Sequence, residues 1–139
     1  MNENISSTLR RRPIVTVLGL FFITTLGTSL HFLFELSGEW PPMALFAAVN
    51  ESVWEHLKMA FWPGLLWSAL TAHLFGGWSD WRYWGCRGLS LMVPPIMIVV
   101  LFYGYTAILG THSLIADVIV FYVAVTLGQI AFYFIIKQG

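Results

Sequence analysis

Residues 88–116 read GLSLMVPPIMIVVLFYGYTAILGTHSLIA, 29 positions without an Asp, Glu, Lys or Arg. A helix rising 1.5 Å per residue needs about 20 mostly apolar residues to cross the hydrocarbon core of a bilayer. The stretch therefore supplies one crossing, a turn at Gly110-Thr111 and the start of another. Three more charge-free stretches repeat the pattern: Pro13 to Phe34, Met59 to Ser79 and Val118 to Ile136, with about 22, 21 and 19 positions. Hydrophobic residues make up 58% of the chain and charged residues 10%, against about 25% charged in an ordinary soluble domain. The sequence thus predicts an all-α, polytopic membrane protein with four transmembrane helices. They form a single domain over 1–139, with spans near 13–36, 51–75, 89–109 and 114–136.

Four spans and their turns use nearly all of the 139 residues, so any activity has to be built from the bundle itself. The formal net charge is zero, and Arg10, Arg11 and Arg12 alone do not make the clustered basic surface that phosphate neutralisation requires. Nucleic acid is excluded as a partner on that ground, leaving the lipid bilayer as the expected surroundings. A single cysteine, Cys86, rules out an intrachain disulfide and a multi-cysteine zinc site. Its place beside a membrane face suits lipidation, although a lone cysteine is weak evidence. The apolar run after Arg12 is longer than a signal-peptide core and has no small-x-small site directly behind it, so 13–34 reads as a retained helix. Positive residues are held on the cytoplasmic side. With both termini inside, Arg10, Arg11, Arg12, Arg82, Arg87 and Lys137 are cytoplasmic and only Lys58 lies opposite, as expected of a multi-pass protein of the cell membrane.

Pro13 is a favourable first-turn residue for helix 1, and Ser37-Gly38 stop it. Trp40, Pro41 and Pro42 form an outer turn, followed by a short helical segment through Ala48 that is too brief to span. Asn50 is a candidate N-cap for helix 2, with Glu51 in its first turn and Gly76-Gly77 ending it. Trp78, Trp81, Tyr83 and Trp84, beside Arg82 and Arg87, read as a cytoplasmic loop in an aromatic belt at the headgroups. Pro94-Pro95 fall in the early turns of helix 3, where missing donors do least damage. Small residues from Gly19 to Gly27 favour close helix packing.

This orientation collects Glu35, Glu39, Glu51, Glu55 and Asp117 in the extracytoplasmic half, with His31, His56 and His112. His31 and Glu35 share one helix face, as do Glu51 and Glu55, with Lys58 continuing that stripe. His56 points about 100° from Glu55, so both serve one site only near its rim. Tyr103 and Thr106 on helix 3 can present hydroxyls to the same level, whereas Gln129 lies about 18 Å below Asp117. Ionisable groups in a bilayer cost several kcal/mol unless paired or wetted, and they commonly mark function.

Three readings compete. His and carboxylate donors suit a divalent metal such as zinc, manganese or iron, with His31, Glu35, Glu51, Glu55 and His56 as candidate ligands. Metal-bound water would then be available to a membrane-embedded enzyme. The spacing is not the H-E-x-x-H signature, so no catalytic residue follows from it. Proton or ion transport is the second reading, with His73 and Gln129 the only evident stations toward the cytoplasm. Structural glue in an accessory subunit is the third: Glu51 and Glu55 pairing Lys58, Asn50 capping, His31 satisfied by Glu35. Mutual repulsion among the acids weighs against this reading unless a cation or proton is present.

The segments His31-Phe-Leu-Phe-Glu35, NESVWEHLK over 50–58 and FYGYTAILG over 102–110 together resemble a family of small bacterial and archaeal four-helix membrane proteins classified only as a domain of unknown function. Asp117 and Gln129 also look like family positions. The resemblance covers nearly the whole chain. It implies the fold and the membrane location, and it implies no activity, cofactor or partner.

Overall fold

The structure, a computed structural model, describes residues 2–138. Four helices, α1 (Asn2–Leu36), α2 (Val53–Thr71), α3 (Trp81–Leu109) and α4 (Leu114–Gln138), are joined by short connections that carry 3-10 turns at Pro41–Leu45 and Ala72–Leu74. Each boundary has a local cause. Gly38 takes φ 70°, and the amide of Glu39 reaches back 3.0 Å to the Phe34 carbonyl while that of Gly38 reaches Glu35. This is the paired return that satisfies carbonyls at a helix C-terminus. Ser52, not Asn50, caps α2, its side chain accepting from the Glu55 amide. Asp80 caps α3 by accepting from the Arg82 and Tyr83 amides, and Gly110 ends that helix in the left-handed conformation.

Three further expectations are corrected by these boundaries. Pro13 lies inside α1 rather than at its start. It forfeits one backbone bond without breaking the ladder, because hydropathy marks the apolar part of a helix and not where its hydrogen bonding begins. Residues 81–88, expected in a cytoplasmic loop, are the opening turns of α3, since Asp80 supplies the cap that starts them. Tyr83 and Arg87 are consequently buried in the bundle, at 1% and 2% exposure. Pro94-Pro95 then sit mid-helix rather than in early turns.

Contacts run antiparallel around a closed ring. Gly19 of α1 approaches Trp67 and Gly27 approaches Met59, so numbers rise along α1 as they fall along α2. Thr71 meets Arg87 across α2 and α3, Pro94 meets Gly128 across α3 and α4, and Gly27 meets Phe121 across α1 and α4. This is the up-down-up-down arrangement of a four-helix bundle. Its middle is apolar, built on Ile23, Ala60, Ile98, Phe121, Ala124 and Val125. Outside it, Phe21, Leu66, Ile96, Val100, Ile108, Ile119 and Phe134 are exposed, a continuous apolar surface that water does not tolerate.

Three helical segments, Arg11–Leu36, Trp81–Leu109 and Leu114–Ile136, are long and apolar enough to cross a membrane. Four had been expected. The 19-residue α2 falls short because Glu55, His56 and Lys58 occupy its opening turns. Between lipid-facing helices there is no hydrophobic drive to associate, so cohesion rests on close van der Waals fit at small residues. At Gly27 a Cβ would lie 2.5 Å from the Met59 carbonyl oxygen and 2.8 Å from the Phe121 ring. Gly27→Val is therefore expected to lower the unfolding temperature in detergent, costing about 1–3 kcal/mol by overpacking. Gly85→Ala, with nothing within 4 Å of the new atom, should be neutral or stabilising by up to about 1 kcal/mol; equal losses at both positions would contradict the close approach of α1 to α2 and α4.

Candidate metal centre

Glu51, Glu55 and Asp117 lie at one end of the bundle, and their environments differ. The connection between α1 and α2 is fastened to α2 by three bonds: Lys58 Nζ donates to the Ala44 carbonyl at 2.7 Å, Trp62 Nε1 to the Leu45 carbonyl at 2.9 Å, and the Val49 amide to Glu55 Oε2 at 3.0 Å. Glu55 also pairs with Lys58 at 2.6 Å, and both side chains are mostly buried. Asn50 then accepts from the Ser52 amide at 2.9 Å, a local turn that points the chain into α2. Held between this turn and the Ser52 cap, Glu51 is directed over the end of α1.

There it meets two histidines. Glu51 Oε1 lies 3.5 Å from His31 Nε2, and Oε2 lies 3.8 Å from His56 Nε2. The imidazole rings of His31 and His56 are 5.4 Å apart. One donor atom from each of the three residues fits within 4.8 Å of the others. Two bonds of 2.0–2.1 Å at a tetrahedral angle separate their ligand atoms by about 3.4 Å, so small side-chain rotations bring the three onto one ion. Both histidines are about three-quarters buried, at 24% and 25% side-chain exposure, whereas Glu51 is 79% exposed. The group is thus anchored in the bundle and open above.

Hydrogen bonding fixes the chemistry of His56. Its Nδ1 is 2.8 Å from the Ser52 carbonyl oxygen, an atom that only accepts, so Nδ1 carries a proton. In the neutral ring the lone pair is then on Nε2, aimed at a carboxylate oxygen. Two acceptors this close repel one another, and a proton or a cation bound between them relieves that repulsion. A backbone carbonyl behind the imidazole is also the usual support of a metal-binding histidine.

The other candidates take other places. Glu35 is exposed on the surface of α1 and is not among the residues whose donor atoms gather at His31. Glu55 is occupied by Lys58 and the Val49 amide. The Thr106 hydroxyl donates to the Phe102 carbonyl at 2.8 Å, and Tyr103 is 50% exposed, so neither reaches the group. Asp117 lies across the bundle with His112 at 3.4 Å and the Tyr105 hydroxyl. Tyr105 was not singled out from sequence, although a tight turn at Gly110 brings it opposite Asp117. Ser52, the support of His56, carried only the common signal of a cap three residues before Glu55.

Removing the Lys58 charge with Lys58→Met should leave the Glu55 carboxylate without its counter-charge and with the Val49 amide as its remaining partner, at a cost of about 1–3 kcal/mol. The expected result is faster amide hydrogen exchange at residues 44–49, with α4 unchanged; unaltered exchange there would contradict the fastening role. No curated protein and no solved structure matches the chain. A family of unknown function, DUF6512, matches residues 1–138. The chain belongs to that family.

Proposed function

We propose that this is a four-span membrane protein that binds one divalent transition-metal ion through His31, Glu51 and His56 at the extracytoplasmic end of the bundle. The observation that carries the reading is the orientation of His56: with Nδ1 bound to the Ser52 carbonyl, its metal-binding nitrogen faces the Glu51 carboxylate across 3.8 Å. Two imidazoles and one carboxylate suit zinc, iron or manganese. A three-residue set leaves coordination positions for water or a substrate, as in catalytic rather than closed structural sites. The exposure of Glu51 on that side gives those positions access to solvent.

The fourth span in this reading is α2. Its 19 residues measure about 28 Å at 1.5 Å per residue, close to the roughly 30 Å of hydrocarbon. It packs between α1 and α3, and its charged side chains are confined to one end. With both termini in the cytoplasm, the trio faces outward in a cell membrane. A cysteine introduced at Thr111, in the outer α3–α4 turn, should react with a membrane-impermeant maleimide in intact cells; labelling only after permeabilisation would reverse the topology.

Metal binding is tested on purified, chelator-stripped protein. One equivalent of zinc should bind, measured by elemental analysis after dialysis, and be released on acidification because protons compete for both imidazoles. His56→Ala and Glu51→Gln should each weaken binding at least ten-fold, and Glu35→Gln should leave it unchanged. Metal-free wild-type protein, or equal losses from Glu35→Gln and Glu51→Gln, would sink the reading and leave Glu51 as a counter-ion of two imidazolium rings.

A further inference from the structure

At the opposite end of the bundle the charge pattern is reversed. Arg87 is 2% exposed, and its guanidinium is surrounded by neutral groups. Nε donates to the Tyr83 hydroxyl at 3.1 Å, Nη2 donates to Thr71 Oγ1 at 3.2 Å, and the Phe132 ring lies 3.3 Å beneath the central carbon. The two hydroxyls have their own acceptors, the carbonyls of Ser68 and Trp67. Two of the five N–H groups of the guanidinium are thereby used. Among the described residues the ion pairs join His31, His56, Lys58 and His112 to acids, and none includes Arg87.

A small cavity lies beside Arg87. All four helices wall it, through Ile23, Gly64, Arg87, Ser90, Pro94 and Gln129, and the centre of a water-sized sphere has about 10 Å³ to occupy. That is room for one such particle. Four buried polar atoms have no partner among the described residues, Arg12 Nε, Thr16 Oγ1, Trp67 Nε1 and Gln129 Oε1, and of these residues only Gln129 lines the cavity. Trp67 and Gln129 converge on Gly19, where a Cβ would lie 2.5 Å and 2.6 Å from their Nε1 and Oε1 atoms. The arginine and indole nitrogens can only donate, the threonine hydroxyl can donate, and a half-turn of the Gln129 amide exchanges its oxygen for an NH₂. Surplus donors and a buried positive charge, with no carboxylate at that level among the described residues, leave the interior short of an acceptor.

We propose that this cavity binds a single-atom monovalent anion, a halide such as chloride, as the counter-ion of Arg87. A buried cation in a membrane-spanning segment has to be compensated, and the cavity admits one atom. Sulfate, phosphate and organic anions are too large for it. The site shares no residue with His31, Glu51 and His56, and it borders the apolar layer whose Ile23 and Ala60 also wall it.

The test uses the full-length protein in detergent at constant ionic strength, with sodium chloride, bromide, sulfate or gluconate. Chloride and bromide should raise the unfolding temperature progressively, by roughly 5 °C at about ten times Kd, and bromide should quench a fraction of the tryptophan fluorescence along a saturable curve whose midpoint is that Kd. Sulfate and gluconate should do neither. Arg87→Gln should abolish both responses. Should that variant not fold, Gln129→Leu is expected to raise the bromide midpoint at least three-fold. Equal stability in all four salts would overturn the proposal and make water or the chain's own groups the occupant, as would a chloride response that survives in Arg87→Gln or is unmoved in Gln129→Leu.

Discussion

A helix surface made of Ile96, Val100, Ile108, Ile119 and Phe134 commits the chain to an environment in which a charge can exist only between helices or at their ends. That constraint explains the organisation of the molecule. The middle of the bundle is sealed by Ile23, Ala60, Ile98, Phe121 and Val125. On one side of this layer are Glu51, His31 and His56; on the other are Arg87, Tyr83 and Thr71. Each of these six side chains is held by a hydrogen bond, a close ion pair or a packed neighbour.

The two ends differ in how that holding is done. At the end that carries Glu51 the chain between α1 and α2 is fastened through Ala44, Leu45 and Val49, and the Lys58–Glu55 pair is the clamp. It leaves Glu51 as the acid that reaches His31 and His56. Glu55, central to the charge stripe on α2, thus acts through position rather than as a donor to the same group. At the opposite end Tyr83 links α3 to α2 by donating to the Ser68 carbonyl, while Arg87 reaches Thr71 and stacks on Phe132 of α4. A guanidinium can bridge three helices in this way because its plane stacks on a ring while its edge donates.

The helical class and the three strongest apolar segments are legible in the sequence because hydropathy integrates over about 20 residues, so no single position decides the outcome. Helix starts are less legible. Asp80 and Ser52 set the ends of α3 and α2 through one side-chain oxygen each, and many Asp and Ser residues do nothing of the kind. The polar level holding His31, Glu51 and His56 follows from spacing and orientation, but its membership does not: helical periodicity puts Glu35 beside His31, whereas the direction from which α2 packs puts Glu51 and His56 there. Arg87 was read as an interfacial anchor because Arg beside Trp is common at headgroups. Only the helix start at Trp81 turns it inward.

The central claim is that Glu51 and the two histidines form one metal-binding group. X-ray absorption at the zinc edge, on protein loaded with one equivalent, measures that shell directly. The account predicts two imidazole nitrogens with oxygen donors at about 2.0–2.1 Å, and one imidazole fewer in His31→Ala. A shell of oxygen atoms alone, or two imidazoles that persist in His31→Ala, would contradict it.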